Sequence, residues 1–517
     1  MQGTFHSSAP KMLLVCMVAV FFFAICFINL CAVPSFYDGD MYCDYRYAME
    51  AWKHKSLFPD GWVFGNQLNA VSTPVLAALI YGFSGNMNFS MGLACSVMAV
   101  QVVLCYDWML QSVLKDTESR LLAVVLFLAV SLYCGKAVEG NQGWTLLFTM
   151  CSYYAGYSIT AFLAFGCYLH SLSGSTKRQG ILLIPVCIFS FGTGIQSIRQ
   201  TAIMVAPILG VEFLRLLLSF RNWKEHPRPL WTALAISVSN FLGLCYVRMR
   251  DINQNAIFGE ITFTSPAELK QACMDCIFMV KDLLGADHPE SLLVIALLGL
   301  LCLVSLVMIL RSWLKEKHFP VAALTLLILA SVAVIVVIDV LTTMFIRPRY
   351  YFMVYPLIGF LVAYLHEVLD SRKRWWLLVL AIGFFCTSGV RELAGVCATA
   401  ANRKEDVSYV ISDHLLKNGY ETVYAAWNQG ENVAIASNGA LTVGYWHQDR
   451  LFEKVTYLCN LDVYDTAPEK CAYFFEGKDA EDLAISAARA RGIDLEMVWC
   501  DAQKDTYLYT AAVNLLS

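Results

Sequence analysis

The sequence predicts a polytopic α-helical membrane protein that ends in a small α/β domain, and three observations predict it. Hydrophobic residues make up 58% of the 517 and charged residues only 15%; the mean hydropathy is +0.56, well outside the soluble globular range. Apolar runs of about 20 residues, the length that crosses a bilayer, recur along the chain as far as residue 396. Beyond that point helix-period and strand-period segments alternate. The formal net charge is −4, so no global basic surface argues for nucleic acid.

Eleven spans can be read, at 12–33, 87–113, 121–138, 144–170, 180–198, 201–219, 230–248, 291–311, 320–340, 350–369 and 376–396. The first is longer than the ~7–15 residues of a signal-peptide core and is read as a retained transmembrane helix. LNAVSTPVLAALIYGFSG (68–85) is read as a re-entrant or interfacial helix, started by Ser72-Thr73-Pro74 and stopped by Gly82 and Gly85. Charge decides that reading. The basic linkers LKDTESR, SGSTKRQG, RNWKEHPRP, RSWLKEKH and DSRKRWW all become cytoplasmic if the N-terminus is inside and 68–85 does not cross, as the positive-inside rule asks.

This topology makes residues 1–399 a membrane domain. Outside the cell membrane it places the first loop (34–86), the GKAVEGNQG and SIRQ turns, 249–290, 341–349 and the tail, 400–517. The tail has helix-like EDVSYVISDHLLKNG and DAEDLAISAARARG. Its strand-like runs are TVYAAW, LTVGYW, AYFFEG, LEMVWC and TYLYTAA, and NQGENVAIASNG is read as helical. A unit of this kind caps the mouth of the bundle. Its Trp427, Tyr445 and Trp446 either fill the domain core or offer faces to a sugar. The 19 cysteines are scattered through apolar and polar segments alike and read as small buried hydrophobes, not as a disulfide framework. Cys273 and Cys276 form a CxxC with no second pair nearby, which is a helical spacing before it is a metal site.

Candidate chemistry collects on the outer side. SFYDGDMYCDYRYAMEAW presents Asp38, Asp40 and Asp44 directly after the first span. The following YRYAMEAWKH has Tyr45, Ala48, Met49 and Trp52 on one side, the pattern of an interfacial helix. A carboxylate here can take a proton from an acceptor hydroxyl, or can hold a divalent cation that neutralises a phosphate. Facing it are Arg199, at the reversal in FGTGIQSIRQTAIMVAP, and Arg347, Arg349 and Tyr350 in IRPRYYFMVYP. An arginine at such a place either snorkels to headgroups or binds an anion, and its fork matches phosphate oxygens. Glu139 and Asn141 in AVEGNQGW offer one more carboxylate and an amide. No P-loop, GxSxG or HExxH motif is present.

The arrangement resembles the GT-C superfamily of polyprenyl-phosphate-sugar-dependent membrane glycosyltransferases, near its protein O-mannosyltransferase and aminoarabinose-transferase branch. The likeness lies in the acidic YDGDMY loop with AMEAW after it, in STPVLAALIYGFSG, in the PRYYFMVYPLIGFLVAYL helix with Arg-Tyr at its outer end, and in the closing α/β domain. Many members carry Asp-Glu in the first loop where this sequence has Asp-Gly-Asp. Spacing to Ala48-Met49 then favours Asp38 as the catalytic carboxylate, followed by Asp40. The resemblance implies a polyprenyl-phosphate-linked sugar donor and a glycan, lipid or protein acceptor. It also implies a carboxylate base, inversion at the sugar carbon, and substrate contacts from Arg199, Arg347, Arg349, Tyr350, Asp44 and Glu139. The rival readings are a transporter or flippase of a lipid-linked sugar and a non-catalytic scaffold of envelope assembly. The first of these is disfavoured by the lack of an internal repeat.

Overall fold

The computed structural model describes residues 8–32, 38–134, 147–149, 153–172, 178–218, 227–254, 262–284, 289–316, 319–344, 348–390, 394, 398 and 407–516. Each of the eleven expected spans coincides with helix in these residues. Among the described residues, seven helices are long and apolar enough to cross a membrane by length and composition. The expected domain boundary at 399/400 lies outside the described residues, as do Glu139, Asn141 and Arg347.

Small residues and interhelical hydrogen bonds bring the helices together, as they must where lipid supplies no hydrophobic drive between them. Helices Arg178–Gln196 and Arg228–Arg248 approach so closely that a Cβ on Gly194 would lie 2.1 Å from the Asn240 carbonyl oxygen, and one on Gly243 2.2 Å from that of Phe191. At this crossing Ser190 Oγ donates to the Ile236 carbonyl (2.8 Å) and Asn240 Nδ2 to that of Ser190 (3.0 Å). Elsewhere Tyr106 Oη, fully buried, donates to the Pro356 carbonyl at 2.7 Å.

The two ends of the bundle differ. At one, the LKDTESR linker meets DSRKRWW: Arg374 stands 3.7 Å from Asp116, the Lys115 amide donates to Glu367, and buried His366 meets Ser119 Oγ at 2.9 Å. The other end, here called the mouth, joins the first loop to the segments around Gln196 and Asn253. The Phe64 amide donates to the Asn253 carbonyl (2.9 Å), the Leu68 amide to the Gln196 carbonyl (3.0 Å), and Gln196 Oε1 accepts from the Val71 amide (3.0 Å).

The acidic segment is helical from Gly39 to His54, so Asp40 and Asp44 lie in its first turns and not in a loop before it. Asp38 is the N-cap in extended backbone, and Lys55 closes the helix in the left-handed region. Its apolar side packs against protein. Tyr45 and Ala48 are fully buried, and the Trp52 ring occupies the space over Gly82 of the next helix, where a Cβ would be 2.2 Å away. That next helix, Thr73–Ser84, starts after Ser72 with Pro74 in its first turn and ends at Gly85 with φ 62°. Gly82 therefore does not stop the helix. At 12 residues and ~1.5 Å per residue it is about half the length needed to span.

The tail forms a six-stranded mixed sheet in the spatial order Arg450–Lys454, Thr442–His447, Thr422–Ala426, Cys471–Glu476, Thr506–Ala511, Leu495–Asp501. Thr422–Ala426 runs parallel to both of its neighbours, and the other pairs are antiparallel. All five expected strands are present, and Arg450–Lys454 is an addition. A two-residue ribbon ties the sheet domain to the first loop, Trp62 pairing with Asn460 and Val63 with Cys459.

Reporter fusions test which side the mouth faces. A fusion near residue 117, in the linker at the far end, is expected to read as cytoplasmic, and one near residue 460, beside the ribbon, as exterior. The reverse at either position would overturn the proposed orientation.

Candidate active site

The chain's helix-capping preferences place the first carboxylates. Asp38 Oδ1 accepts from the Met41 amide at 2.9 Å, which satisfies one of the helix's orphan N–H groups and fixes the side chain. Asp38 is open to solvent yet lies in a recess crowded by protein. Loss of hydration there raises its pKa above the ordinary carboxylate value, and the charge of Asp40 adds to the rise; the Met41 amide and Arg349 oppose it. Asp40 Oδ2 lies 3.7 Å from Arg349 Nη2, and Asp40's half-exposed side chain makes this a positioning contact more than a stabilising one. Asp44 lies one turn further along the same side of the helix, half-buried.

Arg349 and Tyr350 share a 3-10 turn, Pro348–Tyr351, and through Tyr350 the second arginine joins the site. The Arg199 guanidinium lies over the Tyr350 ring at 4.2 Å, and its Nη1 donates to Tyr154 Oη at 3.3 Å. Tyr154 and Tyr350 stack at 6.4 Å. Aromatic faces thus hold a cation at the mouth that would otherwise snorkel away. Five of the sequence candidates therefore come together: Asp38, Asp40, Arg199, Arg349 and Tyr350. Tyr351 donates to Asp339 Oδ2 at 2.8 Å and meets Cys276 Sγ at 3.5 Å, which accounts for the buried half of the CxxC. Cys273 is exposed. Among the described residues no three His, Cys, Asp or Glu side chains group closely enough to hold a metal.

The tail reaches this site directly. The Gly39 amide donates to Asn428 Oδ1 at 3.0 Å, and a Cβ on Gly39 would lie 2.8 Å from that oxygen and 3.1 Å from the Trp427 ring. The middle residue of Asp-Gly-Asp is a glycine because the tail sits on it. The Val443 amide donates to Tyr42 Oη at 2.7 Å, and Tyr42 packs edge-on to Tyr445 at 6.0 Å. Along strand Thr442–His447 successive side chains alternate faces. Tyr445 faces the acidic helix, whereas Trp446 enters the domain's own core with Phe452 and Phe475. Trp427 is half-buried, 4.9 Å from Tyr445.

One functional candidate escaped the sequence reading. Glu431 lies almost fully buried on the short Glu431–Ala436 helix and accepts from Tyr445 Oη at 3.2 Å. Burial lifts its pKa from the usual 4.5 to about 7, with a further push from the charge of Asp38. Nothing in NQGENVAIASNG marks this carboxylate, because its environment comes from distant segments.

No protein-family model and no curated protein matches the sequence. Solved structures do. Two crystal structures of ArnT from Cupriavidus metallidurans, one apo and one bound to undecaprenyl phosphate, superpose with TM-scores of 0.55 and 0.57 at 11% identity, each covering 98% of this chain and 99% of that one. The chain has the ArnT fold. That likeness runs through both the bundle and the tail.

Glu431 gives this seam a pH dependence. Between about pH 4.5 and 7 the folded chain holds a proton that the unfolded chain has lost, so stability falls as pH rises through that window and is level above it. Asp38 acts in the same sense. In the full-length chain, melting of the tail, followed by amide protection of strand Thr442–His447, is expected at a higher temperature at about pH 5 than at about pH 7.5. Glu431→Gln is expected to shrink the difference. An unchanged difference in that variant would assign the titration to another group.

Proposed function

We propose that the chain is a membrane glycosyltransferase that moves a sugar from a polyprenyl-phosphate donor to an acceptor hydroxyl on the extracytoplasmic side. One observation carries the reading: a solvent-reachable carboxylate, locked in place as a helix cap, stands beside an arginine-lined wall at the mouth of an ArnT-fold bundle. The ArnT structure bound to undecaprenyl phosphate supports a donor of the same lipid-phosphate kind.

In the proposed reaction the Asp38 carboxylate takes the proton of the acceptor hydroxyl. The freed oxygen pair forms a bond to the anomeric carbon from the face opposite the phosphate. The carbon–oxygen bond to phosphate breaks with inversion, and its electron pair leaves on polyprenyl phosphate. Arg349, steadied by Asp40, and Arg199, held on Tyr350, meet that developing charge with preorganised donors. The raised pKa of Asp38 strengthens it as a base at neutral pH. A flippase would use the same arginines but has no need of such a carboxylate. Arg347, Glu139 and Asp44 are proposed as further contacts to donor or acceptor, which is a glycan, lipid or protein.

Turnover of a radiolabelled polyprenyl-phosphate sugar by the purified full-length chain tests this. Asp38→Asn is expected to lower the rate ~10²–10⁴-fold with folding retained, since Asn caps a helix about as well as Asp. Arg199→Lys and Arg349→Lys keep the charge but lose the fork, and are expected to weaken donor binding more than they lower the melting temperature. Undiminished turnover in the Asp38→Asn, Asp40→Asn double variant would remove the catalytic assignment. Unchanged donor affinity in both lysine variants would leave the arginines as headgroup anchors.

A further inference from the structure

We propose that helix Leu269–Leu283 lies on the bilayer surface beside the mouth and takes anionic phospholipid headgroups at Lys270 and Lys281. Such a surface serves whatever reaction the mouth performs.

The depth of this helix is fixed at both of its ends. Ahead of it, the Thr264 amide donates to the Leu341 carbonyl (3.0 Å) and the Thr343 amide to that of Thr262 (2.9 Å), where span Phe319–Leu341 ends. Behind it, Tyr355 Oη donates to the Leu283 carbonyl at 3.2 Å, and the next span begins at Pro289. The helix therefore sits at the level where two spans leave the lipid. At 15 residues it falls short of the ~20 needed to cross.

Around its axis the helix has three different sides. At ~100° per residue, Cys276 and Leu283 form the buried side, with Cys276 Sγ 3.5 Å from Tyr351 Oη. On the opposite side Met274, Ile277 and Phe278 are 40, 60 and 52% exposed and make an apolar stripe. Exposed Lys270 and Lys281 stand on that same stripe, one near each end of the helix, while Asp275 and Asp282 lie on the flank between the stripe and the buried side. This is the pattern of a helix lying in an interface, its lysines snorkelling to phosphates and its carboxylates turned to water.

A protein partner is the rival occupant of the stripe, and continuity with the spans favours lipid. The helix leads into span Pro289–Glu316, few of whose residues are buried, and Leu292 and Leu293 at its start are exposed. At the other end Phe263, bridged to Thr342, is 86% exposed. Charge selects the kind of lipid. With both lysines on the apolar side and both aspartates off it, an anionic surface attracts the stripe and repels the flank, which fixes the rotation of the helix about its axis. The lysines are about 16 Å apart at ~1.5 Å per residue, so each meets its own headgroup.

The buried side carries this contact to the mouth. Tyr351, which Cys276 meets, closes the Pro348–Tyr351 turn that holds Arg349 and Tyr350. Lipid under the helix thus sets the level of that turn.

The test puts a photoreactive benzophenone amino acid in place of Met274, Phe278 or Asp275 in the full-length chain. The chain is held in nanodiscs of equal phosphatidylglycerol and phosphatidylcholine, and adducts formed on irradiation are read by mass spectrometry. Positions 274 and 278 are expected to give phospholipid adducts, and position 275 about tenfold fewer. Phosphatidylglycerol is expected to exceed phosphatidylcholine about fivefold in those adducts. Lys270→Gln is expected to even the ratio at 274, and Lys281→Gln at 278, each one helical turn away; both lysines are exposed, so the fold is expected to be kept. No lipid adduct at 274 and 278, or adducts to protein alone, would overturn the surface assignment. Equal adducts of the two lipids with both lysines in place, or a ratio that neither lysine variant moves, would overturn the headgroup assignment.

Discussion

The mouth of this protein depends on the seam between the acidic helix and the tail sheet. Two hydrogen bonds define it, from the Gly39 amide to Asn428 Oδ1 and from the Val443 amide to Tyr42 Oη, across 389 and 401 positions of sequence. The first acts on the residue between the two aspartates. A larger side chain there would strike Asn428 and Trp427, so the seam requires the glycine, and the glycine in turn leaves Asp38 free to turn into its cap. Packing of Tyr445 on Tyr42 and of Met49 and Tyr45 near Gly439 extends the contact along the helix.

Electrostatics follow from that geometry. Asp38 experiences two opposed influences: crowding and the Asp40 charge push its proton affinity up, while the Met41 amide and Arg349 pull it down. Crowding wins. Arg349 is shared between Asp40 and the field at Asp38, so a phosphate that drew Arg349 away would make Asp38 more basic as the donor binds. Base strength and donor occupancy are linked in this account by one guanidinium.

How much of this was legible in the sequence divides by range. Helix at each expected span, the Ser72-Thr73-Pro74 start and Gly85 stop of Thr73–Ser84, and the five strands follow from local periodicity, caps and turns. Arg450–Lys454 was missed because RLFEK has no clean alternation and becomes a strand only at the sheet edge beside Trp446. The acidic helix was begun too late because Asp38 reads as loop until its cap bond to Met41 is seen. Arg199 and Arg349 stand out in the sequence as residues costly to leave unpaired near a membrane, and Asp38 and Asp40 as carboxylates at the first exit; in the fold these lie together with Tyr350 at the mouth. Asn428 is invisible in the sequence because its partner Gly39 lies 389 positions away, and Glu431 because its burial and the nearby charge of Asp38 exist only in the folded seam. Of the two readings open for Trp446, packing decides for the domain core.

The pH dependence of transfer tests the central claim most directly. If Asp38 is the base and Asp40 raises its proton affinity, kcat/KM for sugar transfer should rise with pH on a limb above the ordinary carboxylate pKa. Asp40→Asn should remain active and move that limb to lower pH, because it removes the repelling charge and frees Arg349 to act on Asp38. A limb at the same pH in Asp40→Asn, or a variant with no activity left to titrate, would contradict the account and give the base role to another group.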